Sequence, residues 1–78
     1  MKVNETVRLI RLSKGFTQKQ VADRLKIPVQ TYNGYELGRR KIHVELLQEI
    51  AAVLDEPIQK FFSEKIYKTK KKEHSVYV

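Results

Sequence analysis

TQKQVADRLKIPVQTYNGYELG, residues 17–38, carries two helix starts and a glycine stop in close succession. Thr17 and Gln20 form a capping box: the threonine hydroxyl accepts from one orphan amide of the first turn, and the glutamine reaches back to another. The spacing therefore predicts a helix from about Gln18, with Val21, Ala22 and Leu25 on one apolar stripe. So short a stripe needs a partner helix. Lys26, Ile27 and Pro28 interrupt the pattern, because the proline ring disfavours the α region for Ile27 while suiting Pro28 to a first helical turn. A second helix follows, in which Tyr32, Tyr35 and Glu36 share one face and Gln30, Asn33, Gly34 and Leu37 point away. Gly38 ends it in the left-handed position that glycine adopts cheaply.

Outward from this stretch the chain remains helical. Val3, Val7, Ile10 and Lys14 recur at spacings of four, three and four, predicting a helix over 3–14 that Asn4 or a neighbour caps and Gly15 stops. Leu9 and Leu12 fall off that stripe, where a solvent-facing helix normally carries polar residues. Phe16, just before the Thr17 cap, is placed to staple onto the next helix near Val21. Downstream, Val44, Leu47, Ile50, Ala51 and Leu54 mark a fourth helix from about His43 to Leu54. Asp55-Glu56-Pro57 then breaks and restarts the chain, and Ile58, Phe61 and Phe62 suggest a short fifth helix closing the core. Residues 65–78, KIYKTKKKEHSVYV, lack a helical period and read as a basic tail, mobile or in short strand pairing.

Composition narrows the classes of function. A chain of 78 residues fits one small domain, and without cysteine it has neither a disulfide framework nor a thiolate metal site. A reducing cytoplasm is the expected setting. No apolar run approaches the roughly 20 residues of a membrane span, so no membrane partner is expected. The net charge of +7 is unevenly spread: residues 1–42 carry +7, residues 43–64 carry −4 and residues 65–78 carry +4. Such bracketing suits a molecule that meets a polyanion on one surface only. His43 and His74 are too few and too far apart for a metal site, no Gly-rich phosphate loop or nucleophile elbow is present, and no enzyme or cofactor is expected.

The series Val3, Val7, Ile10, Arg11, Gly15, Phe16, Thr17, Gln18, Val21, Ala22, Leu25, Ile27, Tyr35, Glu36, Gly38, Arg40, Leu47, Ile50, Ala51 and Leu54 resembles the Cro and phage-repressor class of helix-turn-helix proteins, the XRE family. The likeness spans about residues 3–62. It implies an all-α, five-helix, repressor-like DNA-binding domain over 1–64, whose third helix enters the major groove, followed by the tail. Three positions depart from the family pattern. Lys26 stands where glycine is usual, Pro28 where a Ser or Thr cap is usual, and Gly34 where a base-reading side chain is common.

The resemblance also assigns roles. Gln30 and Asn33 have the amide chemistry that pairs with base edges, Val29 or Thr31 can touch a thymine methyl, and Gly34 lets backbone approach the groove. Gln30 and Asn33 would be ordinary solvent residues in most helices; the motif around them is what points to DNA. Thr17 and Gln18 at a helix N-terminus, and Arg39, Arg40 and Lys41 after the third helix, are expected at phosphates. Tyr32 and Tyr35 fit a core role better than base stacking, and Arg11 with Glu36 is expected to form a partly buried ion pair. Double-stranded DNA bound by a homodimer is the expected partnership, with Leu9, Leu12, Leu46, Val53, Ile66 or Val76 as dimer contacts. The rival expectation is a protein-binding module of antitoxin or anti-repressor type, using the tail, SVYV especially, as an added strand.

Overall fold

The computed structural model describes residues 2–61, which form four α-helices and one 3-10 turn, with no strand among them. In order these are α1 (Val3–Ser13), α2 (Gln18–Leu25), α3 (Val29–Leu37) and α4 (Val44–Leu54), then the turn Ile58–Phe61. The fifth helix is thus reduced to a single 3-10 turn as far as it is described. Phe62, the boundary at residue 64, the tail with Ile66, His74 and Val76, and the proposed strand of SVYV lie outside the described residues.

Both bonds of the capping box form at the start of α2. The Gln20 amide donates to Thr17 Oγ1 at 3.0 Å, and the Thr17 amide donates to Gln20 Oε1 at 2.8 Å. Lys26 closes the helix at φ 62°, ψ 41°, in the left-handed region where a lysine costs about 1–2 kcal/mol relative to a glycine. Its Ile27 neighbour is half-buried against the core, which fixes the turn.

Three expectations about helix ends and faces are corrected. Pro28 is the N-cap of α3 at ψ 146° and not its first helical residue, because its carbonyl already accepts the first intrahelical bond, from Tyr32. No side chain caps that end, consistent with the absent Ser or Thr. Asn4 does not cap α1; Lys2 occupies the cap, and the Asn4 amide instead donates to the Glu36 carbonyl near the end of α3 at 2.9 Å. Val44, counted with the apolar stripe of α4, is 64 % exposed, since it stands in the first turn before the helix reaches its neighbours.

The core runs through Val7, Ile10, Val21, Ala22, Leu25, Tyr32, Leu47, Ile50, Ala51, Leu54 and Phe61. α3 packs on both α1 and α2, α4 packs on α2 and α1, and the 3-10 turn closes the gap between α1 and α4. Ala22 supplies the small residue that lets helices come close. At the far end from α3, Glu56 accepts ion pairs from Lys14 at 2.8 Å and Lys60 at 3.2 Å, tying the end of α1 to the turn after α4.

Candidate nucleic-acid interface

α3 is held from behind by Glu36. This carboxylate is buried, and it accepts from Arg11 Nε at 2.6 Å, Arg11 Nη2 at 3.0 Å, Gln18 Nε2 at 3.0 Å and the Tyr32 hydroxyl. Four donors saturate the lone pairs of a carboxylate, so its charge survives burial. Desolvation alone would raise the Glu36 pKa; the bonds from Arg11, Tyr32 and Gln18 outweigh it and leave the group below the ordinary carboxylate value. For Tyr32, burial and then the adjacent carboxylate push the phenol pKa well up. Arg11 also donates through Nη1 to the Phe16 carbonyl at 2.8 Å, so one guanidinium joins α1, α3 and the residue before the cap of α2. The ion pair expected between Arg11 and Glu36 is present, and it is bidentate.

With Tyr32 and Glu36 inward, the opposite face of α3 is presented outward. Gln30 and Leu37 are exposed, and Val29, Thr31 and Asn33 are half-buried. Val29 leans on the core, which leaves it less free than Gln30. Gly34 is buried, and its cover is Arg40: a Cβ built on Gly34 would lie 3.4 Å from Arg40 Cδ and 3.6 Å from Cγ. The backbone of Gly34 is therefore not open to the outside, as a bare glycine on this face would be. Leu37, 54 % exposed between polar neighbours, is an outward residue that apolar patterning gives no reason to single out.

The other candidates lie around this face. Thr17 and Gln18 stand at the N-terminus of α2, where the first-turn amides lack intrahelical acceptors. The Gln18 side chain, however, is committed through its Nε2 to Glu36. Arg39, Arg40 and Lys41 follow Gly38, whose φ of 82° reverses the chain, and all three are exposed. Lys41 lines a shallow cleft with Val3, Asn4, Gly38, Arg40 and Ile42. On the far surfaces, Leu9 and Leu12 are 51 % and 50 % exposed, whereas Leu46 and Val53 are half-buried against the core. The link from Gln18 to Glu36 and the seat of Arg40 escaped sequence analysis, since both join residues that no local pattern relates.

Two helices joined by a left-handed turn, the second with a buried acid behind and amides in front, define a helix-turn-helix protein of the DNA-binding kind. A helix-turn-helix family model matches residues 7–61, and the chain belongs to that family, of XRE type. Its members are DNA-binding transcription regulators. No curated protein and no solved structure matches the chain. No helix among the described residues is long and apolar enough to cross a membrane.

Proposed function

We propose that the protein is a sequence-specific repressor that binds a pseudo-palindromic operator as a two-fold dimer, in a reducing cytoplasm. The observation that carries this reading is the outward face of α3, where Gln30 is exposed and Asn33 and Thr31 are half-buried on a scaffold locked by Glu36. Amide side chains on a helix inserted in the major groove discriminate bases, adenine above all. Val29 and Gly34 belong to the same face but supply shape more than hydrogen bonds. Thr17, Gln18 through its backbone amide at the start of α2, Arg39 and Lys41 meet phosphates on either side, the two cations supplying affinity that depends on salt and all four fixing the register of the helix. Arg40 stands at the same edge.

One copy reads too few base pairs to find a site in a genome, so two copies on half-sites about 34 Å apart are required. Leu9 and Leu12 are the contact surface this reading favours, because they are large, apolar and exposed on one helix. Leu46 and Val53 have much of their surface already spent on the core.

Selecting bound sequences from a random duplex pool tests the proposal. A palindromic motif with half-sites one helical turn apart is expected, with affinity falling steeply as salt rises. A bound pool with no enriched motif would remove sequence-specific regulation from consideration, and a motif without two-fold symmetry would remove the dimer.

A further inference from the structure

We infer that Arg40, laid across α3 in the slot left by Gly34, is a base-reading residue that selects guanine; the inference rests on the DNA-reading role proposed for α3. Gly34 shares its helical face with Gln30, Asn33 and Leu37, at the spacing that puts residues on one side. A glycine there looks like a missing reader. The space is nonetheless filled, because the three heavy atoms nearest to an added Cβ all belong to Arg40: Cδ at 3.4 Å, Nε at 3.5 Å and Cγ at 3.6 Å. The stem of Arg40 thus runs over the glycine, on the helical face that also carries Gln30 and Asn33.

This posture is built from the backbone. Gly38 turns the chain back, and the amides of Arg39 and Arg40 both donate to the Gly34 carbonyl, at 2.9 Å and 3.3 Å. The base of the Arg40 side chain is therefore anchored one turn from the glycine it covers. Among the described residues the ion pairs are those of Arg11, Lys14, Lys19 and Lys60, and none holds Arg40. Its guanidinium has no carboxylate partner among them.

The chemistry distinguishes a base from a phosphate. Any cation in the loop can meet a phosphate, as Arg39 and Lys41 can, and neither needs a cleared path over a helix. A guanidinium fork presented at the groove-facing side of a recognition helix matches the two acceptors of guanine, N7 and O6. A Cβ at this position would only touch the Arg40 stem at ordinary contact distance, whereas a longer side chain would compete with it for the same space. Gly34 is then a positioning residue, and the reader at that place on the helix comes from the following loop.

The test compares the full-length wild type with Arg40→Lys and Gly34→Gln by selection from a random duplex pool, followed by salt titration on the selected site. Arg40→Lys keeps the charge and loses the fork, and Arg40 is exposed, so folding is retained and checked by circular dichroism. Expected is a guanine at one position of each half-site in the wild type, whose preference drops about tenfold in Arg40→Lys while the salt slope stays unchanged. Gly34→Gln, which takes the space of Arg40, should alter the preferred base at that same position. An Arg40→Lys motif identical to that of the wild type overturns the inference and makes Arg40 a phosphate contact only. A wild type that enriches no motif overturns the DNA-reading role itself; a motif indifferent to Arg40 overturns only this inference.

Discussion

Glu36 is the residue on which the interface depends, because a charge in the core is tolerable only while its donors stay in place. Replacing Arg11 with Met leaves that carboxylate buried without its cation, and breaking such a pair costs about 3–5 kcal/mol. For a domain this small that is a large part of its whole stability. Arg11→Met is therefore expected to shift the urea midpoint far down, with a melt near the wild-type value counting against the scaffold role. The pH dependence follows from the shifts. Glu36 and Glu56 are both held below the ordinary carboxylate value of 4.5, so the stability they contribute is present above that pH and is lost as pH falls through their folded values. Tyr32 is raised from 10.0, so its contribution is present below pH 10 and is lost as the phenol is forced to ionise above it. Thermal melts across pH should show a plateau between these limits; a steady slope through neutrality would point to other groups.

At the scale of elements, the turn between α2 and α3 carries a fault visible in the sequence. Lys26 sits at φ 62°, a conformation glycine adopts without the crowding of a Cβ. Lys26→Gly is expected to stabilise the fold by about 1 kcal/mol, less than the full steric cost because glycine also loosens the unfolded chain. A denaturant titration reads the difference directly, and a destabilised variant would mean that the lysine side chain contributes contacts of its own. The helix boundaries were legible because they rest on local chemistry: capping by Thr17 and Gln20, a proline after Ile27, glycines at 15 and 38. Where the sequence misled, at Asn4 and Val44, the residue fitted its local pattern but its environment was set by another helix. Asn4 is 32 residues from its acceptor, and no cap rule sees that far.

At the scale of the whole molecule, α1 carries an exposed pair of leucines. Leu9 and Leu12 are three residues apart on one outward face, each about half exposed, a modest apolar patch beside charged neighbours. Changing both to Glu should leave the monomer folded, since neither belongs to the core, while removing cooperative binding to a full palindrome and sparing binding to an isolated half-site. Sedimentation of the variant with operator DNA is the measurement, and two chains still bound per site would move the dimer contact away from α1. The basic face of such a dimer then lies toward DNA through Arg39 to Lys41, and the acidic stretch of α4 and the turn after it lies elsewhere in the chain.

The sequence by itself determined much of the scaffold: the capping box of Thr17 and Gln20, the periodic apolar stripes, and the glycine stops at 15 and 38. Each of these follows from neighbours within about one or two helical turns, where propensity and sterics act. Only the tertiary structure decided what stands behind and over α3. Gln18 and Arg11 converge on Glu36 from two other helices, Asn4 ties down the end of α3, and Arg40 lies over Gly34. These contacts depend on helix packing and on the backbone reversal at Gly38, which turn separate helices and a loop into one surface. Thus the residues of the interface were largely readable from the chain, while the way each is held, and the occupant of the empty glycine position, came from the fold.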